Sequence, residues 1–154
     1  MLSEQERNDI LAELARAENA QSACMEALKI IQGYRGYVSD EAIKDIAPLF
    51  GLTPDELDSI ATFYTSIFRK PVGRHLIFMC DGVSCWVMGY EGLLGQLRER
   101  LGIGFGETTV DGKFTLLPAS CIGACDHAPA LIVDGKLYGD LDIQKIDEIL
   151  KSYT

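Results

Sequence analysis

Apolar positions change their spacing partway along the chain, from steps of three and four before residue 70 to short strand-length runs after it. Residues 4 to 17 carry Ile10, Leu11 and Leu14 at helical spacing. Residues 19 to 32 carry Met25, Leu28 and Ile31, ahead of the glycine-rich stop Gly33-Tyr34-Arg35-Gly36. Ser39 or Asp40 caps a third helix bearing Ile43, Ile46 and Phe50, with Gly51 behind it as the C′ residue. Pro48 inside that segment predicts a kink or an early end, because proline removes a backbone donor. Thr53-Pro54-Asp55-Glu56 opens a fourth helix, with Thr53 as N-cap, Pro54 at N1 and Glu56 completing a capping box. Its expected buried stripe is Leu57, Ile60, Ala61 and Tyr64.

After Gly73 strands and helices alternate. His75 to Met79 is an apolar run of strand length, residues 89 to 101 place Leu93, Leu94, Leu97 and Leu101 on one helical side, and Phe114 to Pro118 is a second strand. Ala130 to Val133 and Lys136 to Tyr138 flank Asp134-Gly135, a pair favoured in two-residue hairpins. Asp142 caps a last helix with Ile143, Ile146, Ile149 and Leu150. The order β-α-β-β-β-α implies one right-handed crossover and one hairpin. The expected fold class is therefore α/β, a small sheet flanked by helices as in thioredoxin-like folds. Residues 1–70 are read as an N-terminal helical extension and residues 71–154 as the α/β body.

Composition narrows the function. Of 154 residues, 47% are apolar, enough for a core, and the formal net charge is −9. So acidic a chain lacks the basic surface that phosphate contacts or anionic lipid require. The start, Met1-Leu2-Ser3-Glu4-Gln5-Glu6-Arg7, has neither an apolar signal region nor an Arg-rich, acid-poor character, and no stretch reaches membrane-spanning length. A cytoplasmic location is expected. In a reducing compartment five cysteines point to metal ligands or reactive thiols rather than disulfides.

Cys80 and Cys85 follow the first strand with four residues between them, and Cys121 and Cys125 follow the second with three. If those strands are parallel neighbours, both pairs leave one sheet edge, where open α/β sheets hold their ligands. The loops are short, glycine-bearing and free of lysine and arginine, so backbone N–H groups would meet any negative charge on the sulfurs. Four such thiols suit a 2Fe–2S cluster. They also suit a four-cysteine zinc site, and spacing alone leaves iron–sulfur, zinc and free or bridged thiols open. Cys24, among Ala23, Ala27 and Leu28, reads as a small buried hydrophobe.

The pattern Cys80-x4-Cys85-x35-Cys121-x3-Cys125 resembles the 24-kDa (E) subunit family of respiratory NADH dehydrogenase, complex I. Further stretches carry the likeness: Ala61-Thr62-Phe63-Tyr64-Thr65, Pro71-Val72-Gly73-Arg74-His75, Gly89-Tyr90-Glu91-Gly92, Asp111 to Leu116, and Cys121 to Asp126 with Ala128-Pro129. The resemblance implies a thioredoxin-like ferredoxin fold with an N-terminal helical bundle. It implies one 2Fe–2S cluster on Cys80, Cys85, Cys121 and Cys125, exchanging single electrons with the FMN of a partner flavoprotein subunit. That partner would carry FMN, the NADH site and a 4Fe–4S cluster, within the peripheral arm of a larger respiratory complex on the cytoplasmic face. This chain would then be an oxidoreductase subunit without a complete active site or catalytic residue of its own. The same module occurs in NAD-linked hydrogenases and formate dehydrogenases.

Other features carry less. Gly102-Ile103-Gly104-Phe105-Gly106 follows a helix, opens none and has no P-loop lysine, so it reads as a connection. His75 is expected to be structural and His127 to face solvent or a partner. Pro129 stands where such folds keep a cis-proline. Trp86, Val87 and Met88 are expected to pack, with some shielding of the thiols. Phe63, Tyr64 and Phe68 are expected in the core between the halves, and the basic turn Arg69 to Arg74 is a candidate contact surface.

Overall fold

Capping chemistry sets out the first four helices. The computed structural model describes residues 1–153 and divides into two compact units, Met1–Pro71 and Val72–Thr154. In the first unit α1 (Glu4–Arg16) begins on a capping box: Ser3 Oγ accepts from the Glu6 N–H, and the Ser3 N–H donates to the Glu6 carboxylate at 2.7 Å. One 3₁₀ turn, Gln21–Ala23, leads into α2 (Cys24–Arg35). This helix does not stop at Gly33. It continues to a left-handed Gly36, and its own Gln32 and Arg35 side chains tie the last turn to groups elsewhere in the unit. Gln32 receives the Phe68 N–H at 2.6 Å and donates to the Ser66 carbonyl at 2.9 Å, while Arg35 donates to both Glu6 oxygens, at 2.6 and 2.8 Å.

Ser39 caps α3 (Asp40–Ile46), and Pro48 turns the next residues into a 3₁₀ segment, Ala47–Phe50, before left-handed Gly51. Thr53 and Glu56 form the capping box of α4 (Pro54–Phe63). Ile10, Leu28, Ile31, Ile46 and Leu57 are fully buried at the centre of this unit. Arg69 donates to Asp40, Asp58 and the Val38 carbonyl, so the start of the basic turn ties this unit together.

The expected stripe of α4 holds for Leu57 and Ala61, but Tyr64 is exposed. The helix ends at Phe63, and extended backbone at Tyr64 takes its side chain off the helical face. Phe63 is exposed as well and meets Tyr64 edge to face at 5.1 Å; Ile67 is the buried apolar residue of this segment. The expectation that Phe63 and Tyr64 are core is thus corrected.

In the second unit β1 (His75–Cys80) pairs in parallel with β3 (Phe114–Ala119), His75 opposite Phe114 and Cys80 opposite Ala119. On its other side β1 pairs antiparallel with β4 (Leu131–Val133), which turns back into β5 (Lys136–Tyr138). Asp134 and Gly135, both at positive φ, supply the backbone a two-residue hairpin requires. Asp134 also accepts from the Leu76 N–H and pairs with His75, whose role is therefore structural. A short strand, β2 (Glu107–Thr108), completes the order β2-β3-β1-β4-β5. Two further helices, α6 (Tyr90–Leu101) and α7 (Ile143–Ser152), pack Leu93, Leu97, Ile146 and Ile149 with Ile77, Met79, Leu116 and Leu131. The Arg100–Asp147 ion pair joins α6 to α7. The Gly102 to Gly106 run closes α6 and leads into β2, as a connection.

Between β1 and α6 stands a five-residue helix, α5 (Val83–Val87). Only Cys85 is buried on it. Trp86, Val87 and Met88 are exposed, so the expectation that they pack is overturned: one short helix cannot turn every residue inward, and Cys85 takes the inner side.

Candidate metal centre

The parallel ladder ends level at Cys80 and Ala119, and the chain leaves both strands at one sheet edge. The Asp81 N–H still donates to the Ala119 carbonyl at 2.9 Å, and the Cys80 N–H donates to the Ala130 carbonyl at 3.2 Å. Three chain segments are thereby fixed around the thiols: the end of β1, the loop after β3, and the residues entering β4. A methyl group at Gly82 would lie 3.5 Å from Cys80 Sγ and 3.4 Å from the Cys121 Cα, so the two thiol loops run side by side.

The sulfurs gather as two pairs. Cys121 Sγ and Cys125 Sγ are 3.4 Å apart, and Cys80 lies near enough to Cys85 to raise its thiol pKa. Cys80 Sγ also lies 3.9 Å from the Ser120 carbonyl. Cys80 and Cys85 are each 2% exposed, whereas Cys121 and Cys125 are open to solvent. Ala124, Ala128 and Ala130 surround the buried pair, with Tyr90 and Ile122 packed against them. This shell is small and uncharged. The bond between Ala128 and Pro129 is cis.

Electrostatics separates the pairs. Burial pushes the Cys85 thiol up to about 11, the Cys80 thiol adds to the rise, and the Ala130 N–H partly offsets it. Cys121 moves the other way, lowered first by the backbone N–H of Gly123 and then by the Cys125 thiol. Gly123 has φ +83, a backbone angle other residues adopt at a cost.

Among the described residues no three His, Cys, Asp or Glu side chains converge closely enough to share one metal ion. Four thiols on two neighbouring loops are a soft donor set of the kind that would hold a 2Fe–2S group. The residues present therefore fit a 2Fe–2S group: four soft donors, a small shell, and backbone N–H groups directed at sulfur.

His127 follows Cys125 but is committed elsewhere. Its Nδ1 is 2.9 Å from Asp140 and its Nε2 3.5 Å from Asp126, and hydrogen bonding to Asp140 with the charge of Asp126 raises its pKa. Its side chain is exposed. Cys24 lies in α2 of the first unit, buried, with its sulfur 3.6 Å from the Ala20 carbonyl. Gly123 lies in the glycine-bearing loop whose backbone N–H groups were expected to face the sulfurs, whereas composition and spacing did not single out Ala130 and Tyr90 here. Ala130 acts through its backbone N–H, which leaves no side-chain signature.

A family model described as thioredoxin-like [2Fe-2S] ferredoxin matches residues 10–154. The E subunit of the NADH-quinone oxidoreductase of Pseudomonas aeruginosa is 45% identical over 154 residues, covering 100% of this chain and 93% of that protein. The corresponding Escherichia coli protein is 44% identical over 152 residues, covering 99% and 92%. Among solved structures, an NAD+-reducing [NiFe]-hydrogenase superposes with a TM-score of 0.66 at 27% identity over 82% of this chain; the chain spans 22% of that hydrogenase polypeptide. No described helix is long and apolar enough to cross a membrane.

Proposed function

The chain belongs to the thioredoxin-like 2Fe–2S ferredoxin family, and from that premise we propose that it is an electron-transfer subunit of an NADH:quinone oxidoreductase whose cluster is held by Cys80, Cys85, Cys121 and Cys125. The group supplies, when bound, a site that accepts and returns one electron. The protein's own part is positional. Cys80 and Cys85 hold the inner side in an uncharged pocket, and Cys121 and Cys125 hold the outer side at the surface. The Gly123 and Ala130 N–H groups stabilise thiolate charge where no lysine or arginine is available in the loops. The observation that carries this reading is the gathering of two thiol pairs at one sheet edge.

The electron partner in this reading is the FMN of a flavoprotein subunit that also binds NADH and carries a 4Fe–4S cluster. Flavin converts hydride chemistry into single-electron steps, and this chain holds one of those electrons. No complete active site is assigned to it alone. The subunit would sit in the peripheral arm on the cytoplasmic face, beyond the membrane. Likeness to the hydrogenase polypeptide supports a second parent, the diaphorase portion of an NAD-linked hydrogenase.

Anaerobic purification tests the centre. The expected protein is red-brown, contains iron and inorganic sulfide, and gives a one-electron EPR signal after dithionite. A colourless protein that keeps stoichiometric zinc after reconstitution with iron and sulfide would overturn it. Recovery of the chain from its native source with either a quinone reductase or a hydrogenase distinguishes the two parents.

A further inference from the structure

Helix α5 and its C-cap leave four large apolar side chains in water: Val83 is 76% exposed, Trp86 59%, Val87 69% and Met88 60%. Val83 shares one helical flank with Trp86 and Val87, three and four residues on. The same helix buries Cys85, so it turns its thiol inward and its apolar bulk outward. From Gly82 to Tyr90 no residue is charged, in a chain that is 24% charged. Exposed Asp81 and Glu91 bound that run at its two ends. A tryptophan with valines and a methionine, uncharged at the centre and acidic at the edge, has the composition of an interface core. A solvated helix face has the opposite pattern.

We propose that α5 is the docking surface for the flavoprotein subunit, meeting an apolar patch on that partner rimmed with lysine or arginine. The inference rests on the electron-transfer reading above. A partner that exchanges electrons with this centre must approach the thiols closely, and any partner covering α5 lies beside Cys85. A second copy of this chain fits poorly, because it would bring Asp81, Glu91 and a net charge of −9 against their like. An anionic lipid surface is disfavoured by the same charge. In the hydrogenase neighbour the fold is one part of a polypeptide more than four times as long as the part this chain matches, which supports a protein occupant.

The test replaces the natural chain by a Trp86→Glu/Val87→Glu double variant in cells and recovers the complex through a tag on the flavoprotein subunit. The expected result is at least about a ten-fold drop in recovered chain per flavoprotein. The isolated variant should keep the iron content and visible spectrum of the natural protein, and Trp86→Phe should restore recovery. Val83→Lys, on the same flank, is the second variant and should weaken recovery in the same direction. Natural recovery of the double variant would overturn the surface alone. A concentration-dependent dimer of the natural chain that the double variant abolishes would also overturn it, by assigning α5 to a second copy. A natural chain that itself fails to come down with the tagged flavoprotein would overturn both the surface and the function it rests on.

Discussion

Glu6 in the first unit and Cys85 in the second are both buried ionisable groups, and their surroundings push them in opposite directions. Glu6 is 4% exposed, and its carboxyl is held down to about 2, chiefly by the Arg35 guanidinium and then by the Ser3 cap. Its charge is complete within the unit. Cys85 is as deeply buried, yet the groups bearing on it are Cys80, Cys125 and the Ala130 N–H, with no cation among them, and its thiol rises to about 11. One unit meets its buried charge with a cation; the other meets Cys85 with a backbone N–H that does not offset burial. In the proposed reading a bound metal would supply what Arg35 supplies in the first unit, since thiolate ligation releases the proton that burial otherwise retains.

The sharpest way to break this contrast is to remove the donors. Cys→Ser at 80, 85, 121 or 125 is expected to abolish bound iron and the visible absorbance, whereas Cys24→Ala should keep both; bleaching by Cys24→Ala would show the ligand set to be wrong. Next is labelling of the metal-free protein with iodoacetamide, followed by mass spectrometry. Cys121 is expected to react about 100-fold faster than Cys85, because rate follows thiolate fraction and exposure. Comparable rates would erase the distinction between the pairs. Glu6→Gln should cost about 2 kcal/mol in urea unfolding, since it leaves the Arg35 charge without its partner. Iron content should not change.

The smallest effect is the pH dependence, and its two arms have opposite sign. Glu6 has a folded pKa below its ordinary value of 4.5, so its contribution is present above that value and is lost as pH falls toward about 2. Cys85 in the metal-free protein has a folded pKa above its ordinary 9, so its contribution is present below 9 and is lost as pH rises toward 11. Urea midpoints measured across both windows should show an acid arm that Glu6→Gln removes and an alkaline arm that Cys85→Ala removes.

Much of the first unit was legible because its signals are local. Thr53 with Glu56, Ser39, and the early end at Pro48 each act within one turn. The end of α2 was not, because Gln32 and Arg35 hold it through residues about thirty positions away, which overrides the propensity of Gly33. In the second unit the strands, the Asp134-Gly135 hairpin and the Asp142 cap were readable, while β2 and α5 are too short to show a period. Large apolar residues ordinarily mean core, and for that reason Trp86, Val87 and Met88 misled. The cysteine spacing pointed to a common site. The glycine-bearing loops pointed to N–H groups facing the sulfurs, and the fold identified them as those of Gly123 and Ala130.

β1 and β3 finish side by side, Cys80 against Ala119. The separation between the starts of the two thiol loops is therefore a property of the ladder, about 4.8 Å between neighbouring strands, and not of either loop. An added residue within one strand would offset its thiols by one step along the ladder and turn the side chains beyond it to the other face. Added residues beyond the last rung would only lengthen a tether. The thiol loops should therefore tolerate added residues better than the strands beneath them.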